Sequence, residues 1–246
     1  MYFIVIGGGW YGSLHTRQLC KAVARGKTAC DGIIVVDRDP ACAAAQEFAG
    51  NAVVRLVTAD WLAFLGAYFP DGDTHADDHI VPAPFAPHLA FDWLVTSVQT
   101  ACPGATLTRG AFDLELGLPF EKLDAQGNRY LSAADWVCPV TCIEPATCPA
   151  IRGPRTWELG DLLATHATPE QGYTGLELFT CRHAVYGIGT IPAARLLEAR
   201  AHVLEALARR QPQRIAVATV SSCHGVVATL HALPAEDAIA PPGCPH

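Results

Sequence analysis

A glycine-rich hexapeptide near the start of the chain has the spacing of a phosphate-binding turn. It begins at Gly7, ends at Gly12 and fits the pattern G-x-G-x-x-G. Gly7 allows a tight turn, Gly9 lets a pyrophosphate approach the backbone, and Gly12 lets the following helix pack close to the preceding strand. The N-terminus of that helix adds unpaired N–H groups. We therefore expect the whole turn, including Trp10 and Tyr11, to bind a dinucleotide.

An acidic residue follows the second apolar run of the chain. Residues 33–36 are typical of a buried strand, and Asp37 comes directly after them. A carboxylate at the end of this strand accepts hydrogen bonds from the adenosine ribose and repels a 2′-phosphate, so the sequence predicts NAD. The positive charge of Arg38 keeps NADP as an alternative.

Three cysteines, Cys138, Cys142 and Cys148, fall within eleven residues, on a segment stiffened by prolines. Three thiols at this spacing can converge on one ion or cluster, and proline directly after a ligand cysteine is common in ferredoxin-type loops. The spacing matches neither the ferredoxin pattern nor the usual zinc-ribbon pairs. The prediction is a metal site that holds either an iron–sulfur cluster or zinc.

A fourth ligand must come from elsewhere in the chain. Cys223 and Cys181 both follow predicted strands, and ligands of open α/β sheets gather at the carboxyl ends of strands. We expect Cys223 to be the fourth ligand, with Cys181 as the alternative. A redox-active or nucleophilic thiol at either position is a competing interpretation.

Two arginines follow the cysteine segment in the turn Arg-Gly-Pro-Arg. Arg152 and Arg155 could together clamp a substrate carboxylate, because guanidinium groups bind carboxylates in a bidentate manner. The alternative is a structural turn in which an arginine pairs with Glu144 or Glu158.

The elements that must position these residues alternate between strand and helix patterns. The rhythm holds over residues 1–100, breaks over 101–170, where proline, glycine and cysteine are frequent, and returns over 171–235. These patterns predict an α/β fold with a doubly wound, mostly parallel sheet, interrupted by a cysteine-rich insertion at 101–170. Residues 171–235 would complete the sheet, and 236–246 would form a loose tail.

At the glycine turn and Asp37 the sequence resembles the Rossmann dinucleotide-binding superfamily. The nearest types are the NAD-binding domains of potassium-uptake regulators and of the precorrin-2 dehydrogenase type, and the resemblance covers roughly residues 1–60. It implies that residues 1–100 form the Rossmann dinucleotide-binding half. Turns of this kind in other proteins bind FAD, S-adenosylmethionine or no ligand, and those alternatives stay open.

Composition and charge narrow the class of partner. Half of the residues are hydrophobic and 17% are charged, which is typical of a well-buried globular chain. A net charge of −7 disfavours nucleic acid, and neither a targeting signal nor a membrane span is predicted, so we expect a cytoplasmic protein. The expected function is an NAD(P)-dependent oxidoreductase with the metal near the dinucleotide, acting on a small molecule or a redox partner protein. The alternative function is a non-catalytic sensor of NAD or of redox state. The chain could also form a homodimer.

Overall fold

The computed structural model describes residues 1–70, 75–139 and 141–235, and element bounds are given for these residues. The strands are β1 (Tyr2–Ile6), β2 (Gly32–Asp37), β3 (Val54–Thr58), β4 (His79–Val81), β5 (Thr106–Gly110), β6 (Phe120–Leu123), β7 (Arg129–Ser132), β8 (Thr147–Cys148), β9 (Gly153–Pro154), β10 (Gly175–Thr180), β11 (Arg182–Val185), β12 (Ile188–Pro192), β13 (Gln213–Val220) and β14 (His224–Leu233). The helices are α1 (Trp10–Ala24), α2 (Ala43–Glu47), α3 (Trp61–Tyr68), α4 (Leu89–Ala101), α5 (Leu159–His166) and α6 (Ala193–Ala208).

The chain divides into two compact units, each built from separate stretches of sequence. The first unit consists of residues 1–87, 139–143 and 181–197. The second consists of residues 88–138, 144–180 and the chain from 198 onward. Helix α6 begins in the first unit and continues in the second.

The first unit contains a six-stranded sheet in the order β11-β12-β4-β1-β2-β3. The four strands β4, β1, β2 and β3 are parallel to one another. Strand β12 pairs with β4 in the antiparallel sense. Strand β11 pairs antiparallel with β12, and the two form a hairpin whose turn lies at Tyr186 and Gly187. The parallel part places the ends of β1 and β2 side by side, next to the glycine turn.

Local sequence explains why β1, α1 and β2 form. Both strands are continuous apolar runs, buried along almost their whole length, as expected for central parallel strands. Helix α1 buries one face, on which Gly12, Thr16 and Leu19 recur at helical spacing. The Thr16 hydroxyl donates a 2.7 Å hydrogen bond to the Gly12 carbonyl, which satisfies a polar group that is fully buried.

The second unit contains a mainly antiparallel sheet in the order β10-β13-β14-β7-β6, with β5 also paired to β14. Only the β10–β13 pair is parallel among the described strands of this sheet. Its core includes Phe112, Leu131, Leu159 and Tyr173, which pack with apolar residues of β13 and β14.

The predicted Rossmann-like, doubly wound, mostly parallel sheet with a cysteine-rich insertion is wrong. The described chain forms mixed sheets instead, because β13 and β14 are joined by only three residues, a connection too short for a parallel crossover. Residues that were expected to form an insertion supply β5, β6 and β7. Strands β5 and β7 pair with β14, and β6 pairs with β7. Strands β6 and β7 form a hairpin around Gly127.

Candidate functional site

The glycine turn connects β1 to α1 and depends on two glycines. Gly7 has a φ of +86°, a left-handed conformation that favours glycine. A Cβ atom added to Gly12 would lie 1.8 Å from the Gly7 carbonyl oxygen, so the helix and the turn approach as closely as glycine allows. The turn therefore favours glycine at Gly7 because of its backbone conformation, and at Gly12 because of the close packing of helix and turn.

Gly9 differs from these two because its surroundings are open. It is the N-cap of the 15-residue helix α1 and receives no side-chain capping bond. A Cβ built on Gly9 would meet no atom within 4 Å. The first four N–H groups of an α-helix have no acceptor inside the helix, so a phosphate group could approach them here.

Asp37 lies at the end of β2 and is bound to the glycine turn. Its Oδ2 atom accepts a 2.6 Å hydrogen bond from the Gly8 N–H, and its Oδ1 atom accepts one of 2.9 Å from the Asp39 N–H. Each carboxylate oxygen keeps further acceptor capacity beyond one bond. The residue can thus position the turn and still accept hydrogen bonds from a ribose.

Arg38, whose positive charge left NADP as an alternative cofactor, forms an ion pair with Asp60. Asp60 also caps α3 by accepting a 2.9 Å hydrogen bond from the Ala63 N–H. That backbone hydrogen bond, together with Arg38, lowers the pKa of the Asp60 carboxyl. The guanidinium of Arg38 already has an anionic partner, which a 2′-phosphate would have to displace.

Two aromatic residues near the turn were not predicted from the sequence. The indole N–H of Trp61 donates to the Val36 carbonyl, which also accepts the Gly7 N–H, at 3.1 and 2.8 Å respectively. Phe85 is 83% exposed and contacts Tyr11 at 5.9 Å between ring centroids. A proline-rich loop carries Phe85, and no periodic signal in that loop indicated the contact.

Trp10 and Tyr11 form an edge-to-face pair on the first turn of α1. Their ring centroids lie 4.8 Å apart, and Trp10 is 65% exposed. Large apolar side chains with this exposure, next to an open backbone turn, are available to contact a ligand.

The predicted cysteine ligands are divided between the two units. Cys142 belongs to the first unit, whereas Cys138, Cys148 and Cys223 belong to the second. Cys148 lies in β8, in register with Gly153 of β9. Across the described ranges 1–70, 75–139 and 141–235, no group of three or more His, Cys, Asp or Glu side chains is arranged to hold a metal ion. The cysteine site stays a prediction.

Cys223 is a buried thiol in the turn between β13 and β14. Its Sγ atom accepts a 3.2 Å hydrogen bond from the Trp157 indole N–H. Burial raises the pKa of this thiol to about 11, although the Trp157 hydrogen bond acts in the opposite direction. The thiol is protonated at neutral pH and is a poor nucleophile there. The alternative position, Cys181, immediately precedes β11 and packs against Gly189.

A serine–histidine pair in the second unit does not have the polarity of an activated nucleophile. Ser132 Oγ lies 3.0 Å from His224 Nδ1 and 2.7 Å from the Ala134 carbonyl oxygen. A carbonyl only accepts, so the single hydroxyl proton of Ser132 is directed to Ala134 and His224 Nδ1 is the donor in the other bond. Burial lowers the pKa of His224, which keeps its imidazole neutral.

The two predicted substrate arginines occupy different environments. Arg152 is exposed and has a φ of +51° in the turn between β8 and β9. Arg155 is largely buried and donates to the Trp157 carbonyl at 2.8 Å and to Glu158 at 3.0 Å. The Glu158 pairing is the structural alternative for Arg155 that the sequence left open.

Arg155 also lines an open cavity of about 660 Å³ in the second unit. Leu118, Leu159 and Leu162 supply apolar walls. Its polar lining comes from Arg155, Thr156, Glu158, Asp161 and Thr165, and Trp157 and Ala133 complete it. A volume of this size accommodates a small organic molecule.

A family model described as "Uncharacterized protein, C-terminal domain" matches residues 90–233, more than half of the chain. The chain belongs to this family. No curated protein and no solved structure matches the chain. The segment shared with the uncharacterized C-terminal domain family includes the cavity, the arginines and the cysteines Cys138, Cys142, Cys148, Cys181 and Cys223. The glycine turn and Asp37 lie outside it.

None of the helices in the described part of the chain is long and apolar enough to cross a membrane.

Proposed function

We propose that the turn from Gly7 to Gly12 binds the pyrophosphate of an NAD-type dinucleotide. The observation that carries this proposal is the open position of Gly9 at the N-terminus of α1, within a turn closed by Gly7 and Gly12. A helix N-terminus whose N-cap residue, Gly9, has no side chain and open surroundings favours an anion. The sequence resemblance to dinucleotide-binding domains supports the same assignment.

Asp37 is the proposed ribose ligand. Its position at the end of β2, hydrogen-bonded to Gly8, places a carboxylate beside the phosphate-binding turn. This negative charge and the pairing of Arg38 with Asp60 favour NAD over NADP. The 2′-phosphate of NADP would be repelled by Asp37 and would have to compete with Asp60 for the Arg38 guanidinium.

We propose an oxidoreductase as the activity, in which bound NAD supplies hydride transfer. The second unit holds a cavity of about 660 Å³ that could admit a small-molecule substrate, which favours an enzyme over a sensor. A small-molecule substrate fits this interpretation better than a redox partner protein. The cytoplasmic location expected from the sequence belongs to the same proposal.

The cysteine site stays a prediction, and no step of the proposal uses a metal. Among the described residues, Cys223 Sγ accepts a hydrogen bond from Trp157, and no three His, Cys, Asp or Glu side chains are arranged to hold a metal ion. Metal analysis of anaerobically purified protein tests the cysteine prediction. About one zinc ion or one cluster per chain would support it, and protein without zinc or iron would contradict it.

The binding proposal is tested by thermal unfolding of cofactor-free protein with NADH and, separately, with NADPH. A ligand at 100 times its Kd stabilises the folded state by about 2.7 kcal/mol, so a clear rise in Tm with NADH and a smaller one with NADPH are expected. NADH consumption with a small-molecule electron acceptor then separates an oxidoreductase from a sensor. A sensor would bind NADH without consuming it.

A further inference from the structure

The turn between β13 and β14 holds the carboxylate of Glu144. The Ser222 N–H donates to Glu144 Oε2 at 2.7 Å. The Ser221 hydroxyl donates to Oε1 at 2.6 Å, and the Cys223 N–H approaches the same oxygen at 3.3 Å. Both oxygens of one carboxylate are therefore bound by donors that belong to a single short turn.

This turn is held in shape by bonds of its own. The Ser221 N–H donates to the His224 carbonyl at 2.8 Å, which closes the connection between the two strands. Successive backbone N–H groups in such turns form concave sites that bind anions. The donors are thus fixed by the β13–β14 hairpin and not by the residue that they bind.

Glu144 comes from outside the sheet and adopts an unfavourable backbone conformation. Its φ is +49°, in the left-handed region that side chains rarely adopt. It lies in a segment without helix or strand assignment, before β8. The carboxylate is bound in the turn while the Glu144 backbone holds a conformation that side chains rarely adopt.

The same turn is joined to the wall of the cavity. Three cavity-lining residues bond to it: the Ala133 N–H donates to the Cys223 carbonyl at 2.9 Å, the Leu159 N–H donates to the Ser222 carbonyl at 3.1 Å, and Trp157 donates to Cys223 Sγ. The carboxylate-binding donors and the cavity are therefore neighbouring parts of one structure within the second unit.

We propose that this turn is the carboxylate subsite of the cavity and that Glu144 is its internal occupant. The ligand is a small carboxylic acid whose apolar part lies against Leu118, Leu159 and Trp157. Its carboxylate replaces that of Glu144 on Ser221, Ser222 and Cys223. The inference does not depend on the dinucleotide site.

A carboxylate is favoured over a phosphate by the arrangement of donors and charge. The donors of Ser221, Ser222 and Cys223 bind the two oxygens of one planar carboxylate. Arg155, a cation in the lining of the cavity, is already paired with Glu158, so a phosphate dianion would have to compete with Glu158 for this guanidinium.

The test uses Glu144→Gly, which removes the occupant and also suits a φ of +49°. Arg210→Gly is the matched control, because it relieves a φ of +56° in the same unit without touching the turn. Phenylacetate, acetate and inorganic phosphate are titrated into each protein, and binding is followed by the NMR shifts of the Ser222 and Cys223 amides.

Removal of an internal competitor raises apparent affinity by the reciprocal of the fraction that was open before. We expect Glu144→Gly to bind phenylacetate at least about tenfold more tightly than the wild type or the control, and more tightly than it binds acetate. Adding Ser221→Ala should reverse the gain. Equal affinity in Glu144→Gly and the control, or stronger binding of phosphate than of phenylacetate, would overturn the proposal.

If Glu144→Gly does not fold, Glu144→Gln provides the same test. The neutral amide keeps the volume of the side chain but competes more weakly for N–H donors than a carboxylate does. A gain in phenylacetate affinity in Glu144→Gln supports the proposal, and no gain overturns it.

Discussion

Asp37 Oδ2 accepts a 2.6 Å hydrogen bond from the backbone N–H of Gly8. The carboxylate proposed to bind the ribose therefore also holds the glycine turn in place. Substitutions of Asp37 should change both the free energy of unfolding and the affinity for NADH, so both quantities must be measured.

Asp37→Ala is expected to lower the free energy of unfolding by about 1–3 kcal/mol, because it removes the charged acceptor of the Gly8 and Asp39 N–H groups. Asp37→Asn keeps one carbonyl acceptor and should cost less. Both variants should weaken NADH binding more than NADPH binding. Urea unfolding and calorimetric titration measure the two effects. Unchanged stability in Asp37→Ala would show that these hydrogen bonds do not hold the turn.

The same added methyl group should lower the free energy of unfolding at Gly12 and leave it almost unchanged at Gly9. Gly12→Ala places a Cβ 1.8 Å from the Gly7 carbonyl oxygen and should destabilise the fold by about 3 kcal/mol or more. Gly9→Ala meets no atom within 4 Å and should leave the free energy of unfolding within about 1 kcal/mol of the wild type. Equal losses in the two variants would contradict the described turn.

Arg155 and Arg152 provide a second matched pair. Arg155→Gln removes bonds to the Trp157 carbonyl and to Glu158 from a largely buried site, and should cost about 1–3 kcal/mol in stability. Arg152→Gln changes an exposed side chain and should cost no more than about 0.5 kcal/mol. Chemical unfolding of both variants checks this. A stable Arg155→Gln protein would favour the substrate clamp expected from the sequence.

Cys223 should make the protein less stable in alkaline solution. Burial raises the pKa of this thiol from 9.0 to about 11, so the folded state holds a proton that the unfolded state releases. Its contribution to stability is complete below pH 9 and is lost as the pH rises to about 11. Cys223→Ala should remove this component. If the wild type and Cys223→Ala lose stability equally over that range, the thiol is not buried as described.

The strands and helices around the glycine turn could be predicted because their signals are local. The apolar runs of β1 and β2 have the pattern of buried parallel strands, and the spacing of Gly7, Gly9 and Gly12 indicates the connecting turn.

The pairings of β5 and β7 with β14, and of β10 with β13, could not be predicted because they join residues that are distant in sequence. Residues 106–110 are largely polar or exposed, and neither turn chemistry nor periodicity specifies their pairing with β14. The contact of Glu144 with Ser221 and Ser222 joins positions more than seventy residues apart. Only the folded chain brings this carboxylate and its donors together.

The most direct test of the account is calorimetric titration of cofactor-free protein with NADH, using the wild type and Gly9→Val. The wild type should bind about one NADH per chain in the micromolar range. The Cβ atom of Gly9→Val would meet no atom within 4 Å, so this variant should unfold close to the temperature of the wild type without ligand, yet bind no NADH. Absence of NADH binding by the wild type, or equal binding by both proteins, would contradict the proposed site.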